Sequence, residues 1–345
     1  MDTLTAVAFA RALIDIDSTT GREGEAGQWL ASQLHHLGYT VTQQPVAGDR
    51  FNVVATLDPP DVVLSTHYDC VPPFFQSRMG NRVLYGRGAC DAKGILAAQV
   101  AAAGRLRAQG HRAVGLLFVV GEERGSDGAT VANQLPPGSR FLVNGEPTDS
   151  MLATGTRGIL RVRLHARGRS GHSSAPEHFE SAVEKLIDAL VHLRSVRLPS
   201  DPVLGVTSYS VGLISGGVAP NVVPAEAQAE VMFRIVGDAG EVLTALRQLE
   251  PLVGIEEVLR VPPVLLHTIP DMPSRSFPFT TDVPLLDRWG VPLLFGPGSF
   301  LLAHTDEEQL SLAEFEASID TYARIVTTLR GSAPTLTAAP KSPSS

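Results

Sequence analysis

Apolar positions along this chain follow two periods, and the order in which the periods alternate predicts a fold. Residues 1–18 place apolar side chains at helical spacing and carry Asp15 and Asp17 near the end of the run, the pattern of an amphipathic helix. REGEAGQWLASQLHHLG (22–38) repeats that spacing and stops at Gly38. YTVTQQ, FNVVATL and DVVLST then read as strands. Residues 92–110 form an alanine-rich helix closed by Gly110, whose small side chains suit close packing on a sheet. AVGLLFVV (113–120) is apolar throughout, as a strand covered on both faces must be, and FLVN (141–144) reads as another strand. Strands alternating with helices predict an α/β fold with helices on both faces of its sheet.

From about Arg157 to Pro262 the order becomes strand, helix, strand, strand, helix, strand, which describes a ferredoxin-like βαββαβ unit. The expected organisation is a domain built from residues 1–156 and 263–330, with 157–262 inserted into it. TTDVPLLDRWG, VPLLFGPG and SLAEFEASIDTYARIVTTLR are read as the helix, strand and helix that complete the first domain. Residues 331–345, rich in Pro, Ser and Thr, are expected to be a disordered tail.

Length and composition narrow the class. At 345 residues the chain exceeds what one hydrophobic core usually absorbs, which agrees with two domains. With 43% hydrophobic and 19% charged residues, it reads as an ordered globular protein. A formal charge of −8 gives no electrostatic reason to bind nucleic acid or anionic lipid. The first residues lack the basic start and continuous apolar core of a signal peptide, and no apolar run is long enough to span a bilayer. Two cysteines, Cys70 and Cys90, make neither a disulfide framework nor a zinc ribbon, and both are expected to be small buried residues. A cytoplasmic protein without membrane or nucleic-acid partners is the expectation.

The candidate chemistry sits at predicted strand ends. In S-T-H-Y-D, His67 and Asp69 leave the same face of an extended chain, so His67 can ligate a metal while Asp69 fixes the imidazole from behind. Alone, this pair is more often a surface histidine beside an aspartate. Y-G-R-G-A-C-D-A-K-G surrounds Asp91 with glycines that permit tight turns; helix capping explains the aspartate but not the glycines. A carboxylate there has two oxygens and can bridge two cations. G-E-E-R-G-S puts Glu122 and Glu123 after the buried strand, where two adjacent carboxylates need positive charge nearby. One can ligate a metal and the other serve as a general base. N-G-E-P places Glu146 likewise, and A-H-T-D-E-E adds His304. Two histidines with carboxylates suit Zn²⁺, with Co²⁺ or Mn²⁺ as alternatives.

In content and order these five motifs resemble the zinc-peptidase family that includes acetylornithine deacetylase, succinyl-diaminopimelate desuccinylase, aminoacylase and the glutamate carboxypeptidases. The likeness runs from residue 1 to about 330. It implies a catalytic domain with an inserted dimerisation domain and two zinc ions per subunit. His67 and Glu146 would hold one ion, Glu123 and His304 the other, and Asp91 would bridge them. Glu122 would be the base, Asp69 would orient His67, and the peptide after Asp91 would be cis. Glu146 stands where some members carry Asp. In the insert, G-R-S-G-H-S-S-A-P resembles the segment whose histidine, here His172, reaches the partner subunit's active site and stabilises the oxyanion. Asn221 in G-G-V-A-P-N-V-V-P matches a substrate-facing asparagine, and Arg234 in M-F-R-I matches a position that grips the substrate carboxylate.

G-P-G-S with A-H-T-D-E-E is similar to the acetylornithine deacetylase branch, which makes Gly298 a substrate-site residue and favours hydrolysis of an N-acyl-amino acid in amino-acid biosynthesis, arginine biosynthesis foremost. Desuccinylation of a diaminopimelate precursor is the nearest rival, followed by a dipeptidase or carboxypeptidase acting on a short peptide. A non-catalytic metal-binding protein of this fold is a rival of another class, and the full set of ligands with a base argues against it. A nucleotide-binding enzyme would need a phosphate loop, and Lys93 is followed by Gly94 where Ser or Thr is required.

Overall fold

The computed structural model describes residues 2–331. Most of the expected tail therefore lies outside the described residues; Gly331 itself ends the last helix. The chain divides into two compact units. One comprises the chain up to Thr154, Leu265–Arg275 and the chain from Thr281 onward; the other comprises Gly155–Val264 and Ser276–Thr280.

The first unit is built on a six-stranded sheet in the order Thr40–Ala47, Arg50–Thr56, Val114–Val119, Val62–His67, Phe141–Asn144, Val291–Leu294. The first two junctions are antiparallel and the other three parallel. Every residue of Val62–His67 and Val114–Val119 is buried, which is why these strands show no polar alternation. Helices Thr3–Ile14, Gly24–His36, Lys93–Ala108 and Leu312–Gly331 pack with Leu64, Leu116 and Phe118. Val63, Leu117, Val119 and Leu142 pack instead with Ala129 and Ala132 of the short helix Asp127–Ala132 and with Leu286 and Trp289. The alanine-rich helix lies close to the sheet at Gly145, where a Cβ would come within 2.5 Å of Ile95 Cγ2.

The helix expected over 280–290 is replaced by a single 3₁₀ turn, Val283–Leu285. Asp282 makes no capping hydrogen bond there, and Trp289 is buried with its indole N–H donating to the Ala132 carbonyl at 3.1 Å. So short a segment gains little as a helix, and anchoring its side chains under the sheet prevails. The pattern also missed a small three-stranded sheet of Gln309–Ser311, Val83–Tyr85 and Arg78–Gly80. Strands of three residues carry too little periodicity to be read.

The second unit holds a four-stranded antiparallel sheet in the order Ser208–Gly216, Glu226–Ile235, Gly158–Arg167, Gly254–Val261, which is the ferredoxin-like arrangement. Along Glu226–Ile235 every second residue is buried. Ala229, Val231 and Phe233 pack there with Leu186 of helix Ala182–Leu193 and Val242 of helix Ala239–Leu246. The alternate positions, Arg161, Arg163, Glu230 and Arg234 among them, lie on the opposite face, where Arg163 pairs with Glu230 at 2.7 Å. Ser208–Gly216 is the edge strand, and its Leu213 and Ile214 are 65% and 64% exposed. Among the described residues, no helix is long and apolar enough to cross a membrane.

Candidate metal centre

Parallel pairing brings the ends of three central strands together. His67 closes its strand opposite Val119, and Ser65 lies opposite Asn144. The segments that follow carry Asp69, the Glu122–Glu123 pair and Glu146 from the same end of the sheet. Gly121 makes the Glu122 turn feasible: it has φ +76°, and a Cβ would lie 2.0 Å from Asp127 Oδ1. Asp127 is held at 2.7 Å by Arg50, which also pairs with the buried Glu23 at 2.8 Å, so the turn is anchored from beneath.

Asp91 is the centre of the set. Its Oδ1 lies 3.1 Å from His67 Nε2, and its Oδ2 lies 3.3 Å from His304 Nε2. The two oxygens of one carboxylate therefore face two different imidazoles. Glu146 Oε2 is 4.0 Å from His67 Nε2, and Glu123 is 3.0 Å from His304 Nε2. The Asp91–Ala92 peptide is cis. Behind His67, Nδ1 lies 3.1 Å from the Asp69 carbonyl oxygen and 3.4 Å from Asp69 Oδ1. The buried Asp69 carboxylate also accepts from the Glu122 amide at 3.1 Å, the Glu123 amide at 3.2 Å and the Thr20 hydroxyl at 2.9 Å. One side chain thus backs a candidate ligand and holds the loop that carries two more acids.

The electrostatics call for cations. Burial, then the charge of Glu146, pushes the Glu122 carboxyl well above the usual range; burial, and then Asp91, does the same to Glu146 against the pull of His67. Burial and Asp91 raise Glu123. The His304 ring is pushed up to about 10 by its contacts with Asp91 and Glu123. Burial opposes charge on His67, yet Asp69 and Asp91 still carry it well above its ordinary value. Ligand atoms of His67, Asp91 and Glu123 lie within 4.8 Å of one another, and among the described residues the buried Glu146 Oε1 has no hydrogen-bond partner. An orphaned buried carboxylate oxygen among mixed nitrogen and oxygen donors fits divalent cations of the zinc, cobalt or manganese type.

Two residues at this centre escaped the sequence reading. Asp282 is buried, and among the described residues neither of its oxygens makes a hydrogen bond of normal geometry; burial pushes it up to about 7, and the Ser126 hydroxyl draws it part of the way back. Nothing in T-T-D-V-P distinguishes it. Glu308 is fully buried, and burial with the Asp91 charge pushes it up to about 7, although all its partners are donors. It stands in the run Asp306, Glu307, Glu308, where no spacing singles out one acid. Both thiols are buried and free, as expected.

Gly298, with φ +84°, is buried against Cys90, where a Cβ would fall 2.7 Å from Cys90 Cβ. His172, Asn221 and Arg234 belong to the second unit. There His172 is paired with Val222, and the Ser173 amide donates to the Asn221 carbonyl at 3.2 Å, so those two lie together. The Ser174 amide donates to His172 Nδ1 at 3.2 Å, which puts the proton of the neutral ring on Nε2. Arg234 is half-buried; desolvation lowers its pKa, and among the described residues it makes no ion pair.

A model of peptidase family M20/M25/M40 matches residues 63–328. A protein of Aspergillus clavatus named a probable carboxypeptidase is 36% identical over 93% of this chain and 81% of its own length. Among solved structures, a tripeptidase from Staphylococcus aureus superposes with a TM-score of 0.81 at 19% identity, covering 96% of this chain and 99% of that one. A Bacillus subtilis protein described as a dinuclear metal-binding peptidase superposes with a TM-score of 0.72 at 14% identity, covering 95% of this chain and 98% of its own.

Proposed function

The chain belongs to the M20/M25/M40 peptidase family and is an amide-hydrolysing metalloenzyme, and from that premise we propose that it releases an amino acid bearing a free carboxylate from an acyl or peptidyl group. The observation that carries this reading is the convergence of His67 and His304 on the two oxygens of Asp91, with the Glu122 backbone held by Asp69, which stands behind His67. His67 and Glu146 would hold one ion, Glu123 and His304 the other, with Asp91 shared. When bound, such ions polarise the scissile carbonyl and acidify a water. Glu122 would take a proton from the water that adds to the scissile carbonyl and pass it to the amine as the carbon–nitrogen bond breaks. Asp69 keeps His67 oriented. His172, from a second copy of the chain, donates through Nε2 to the developing oxyanion.

Arg234 is the proposed carboxylate grip, because a half-buried guanidinium with no ion pair among the described residues is ready to take one. Asn221, beside His172, and Gly298, against Cys90 of the Asp91 loop, complete the substrate contacts. The carboxypeptidase names of the relatives favour the C-terminal residue of a short peptide as the leaving group. An N-acyl-amino acid of the acetylornithine type presents the same acyl–NH–CHR–carboxylate unit and is the second reading. The exposed edge strand Ser208–Gly216, with Val211, Leu213 and Ile214 open to solvent, supports a homodimer formed through the second unit. Two buried free thiols suit a cytoplasmic setting.

The test is turnover by metal-stripped protein reconstituted with zinc or cobalt. The panel comprises N-blocked dipeptides, free di- and tripeptides, N-acetyl-ornithine, N-acetyl-citrulline and N-succinyl-diaminopimelate. Glu122→Gln should keep its metal and lose about 10²–10⁴-fold in turnover. Near-wild-type turnover would remove Glu122 from the role of base.

A further inference from the structure

Glu308 lies four residues beyond His304, yet its side chain is bound to the other ligand loop. Its Oε1 accepts from the backbone amides of Gly88 at 2.9 Å, Cys90 at 3.2 Å and Asp91 at 3.1 Å. Its Oε2 accepts from Arg87 Nη1 at 2.7 Å. Its own carbonyl accepts from the Gly86 amide at 3.2 Å. The strand that follows, Gln309–Ser311, pairs with Val83–Tyr85, the strand that leads into the same loop. Converging peptide N–H groups make an anion-binding concavity, and here the occupant is the protein's own carboxylate.

The loop needs such a grip. Gly86 and Gly88 have φ of +148° and +92°, so this backbone has no side-chain stiffness of its own at two of the positions before Asp91. The segment that supplies the grip also carries His304, whose Nε2 must stay 3.3 Å from Asp91 Oδ2 and 3.0 Å from Glu123.

We propose that Glu308 is a positioning residue of the metal centre: it clamps the Gly88–Asp91 backbone to the His304 segment and so sets the affinity for the ion shared by Asp91, Glu123 and His304. This rests on the metal reading of the preceding subsection. Substituents behind a ligand commonly alter metal affinity about 10- to 100-fold, because the ligand loses its orientation and not its donor atom.

Glu308→Gln tests it in the full-length chain. The amide keeps the shape and one acceptor oxygen but turns an N–H toward either Arg87 or the loop amides. In chelator-competition titrations with Co²⁺, the affinity for the second ion should fall about 10- to 100-fold while the first ion is held more nearly as in wild type. The visible Co²⁺ absorption should change with the near-UV circular dichroism still native, and excess Co²⁺ should restore turnover. Wild-type affinity for both ions in folded Glu308→Gln overturns the clamp and leaves the metal reading intact. A wild-type chain that takes up no pair of ions overturns both. Should the variant not fold, hydrogen exchange in the wild-type, metal-free chain decides: protected amides over residues 86–92 support the clamp, and open-loop exchange rates there overturn it.

Discussion

Replacing Asp69 by Asn separates what that residue does for the fold from what it does for the metal. Its carboxylate accepts three hydrogen bonds, from the Glu122 and Glu123 amides and the Thr20 hydroxyl, and stands 3.4 Å from His67 Nδ1. The two amides approach different oxygens. Whichever way the Asn side chain turns, its NH₂ faces one of those amides and leaves a donor without an acceptor. A buried donor left unpaired costs about 1–3 kcal/mol, a tolerable loss for a protein stable by roughly 5–15 kcal/mol. The Ala variant leaves both amides stranded, while the Thr20 hydroxyl can still turn to the Cys70 carbonyl, and it stands closer to unfolding. If Asp69 also orients His67, the Asn variant should bind metal about 10- to 100-fold more weakly, a further effect of roughly 1.4–2.7 kcal/mol. Urea unfolding of metal-stripped protein reads the first effect, and chelator competition with Co²⁺ reads the second. Thr20→Val, which removes one bond to Asp69 without touching His67, should cost about 1 kcal/mol and leave metal affinity unchanged. An Asn variant that loses stability but binds metal like wild type would refute the orienting role. One that loses neither would refute the geometry itself.

Other consequences can be checked separately. Gly145→Ala would push a methyl to 2.5 Å from Ile95 Cγ2 and 2.6 Å from Gln99 Nε2; it should cost about 1–3 kcal/mol in urea unfolding, and a neutral result would mean the alanine-rich helix yields easily. His304 binds its proton more tightly folded, with a pKa raised from 6.5 to about 10, so its contribution to the metal-free fold is complete below about pH 6.5 and lost as pH rises through about 10. Metal-stripped protein should therefore melt lower toward alkaline pH. Added Zn²⁺ should be held more weakly as pH falls, because protons compete for the same rings. Leu213→Arg on the exposed edge strand should give a folded monomer in analytical ultracentrifugation if the edge is the dimer contact, and an unchanged sedimentation coefficient would exclude that edge.

What the sequence disclosed follows from how far each signal reaches. The βαββαβ order was readable because strands such as Glu226–Ile235 alternate cleanly over ten residues, and the central strand Val114–Val119 because its six buried positions are apolar throughout. The candidate residues His67, Glu122, Glu123 and Glu146 were readable because they end or follow strands whose ends parallel pairing brings together. Glu308 and Asp282 were not, because their roles come from loops that meet only in three dimensions, and an acid in a row of acids carries no period. The 280–290 segment misled for the converse reason: it has helical spacing, but Trp289 is more stable under the sheet than on a helix.

The place of Val291–Leu294 in the sheet has a consequence for the order of assembly. It is hydrogen-bonded beside Phe141–Asn144, yet the whole second unit is synthesised between them. His304 and Glu308 emerge later still. A nascent chain that has completed its insert therefore has an unfinished sheet, and of the candidate metal set it carries His67, Asp91, Glu123 and Glu146 but not His304. The candidate metal set is thus completed only after the insert and the last strand of the sheet have been made.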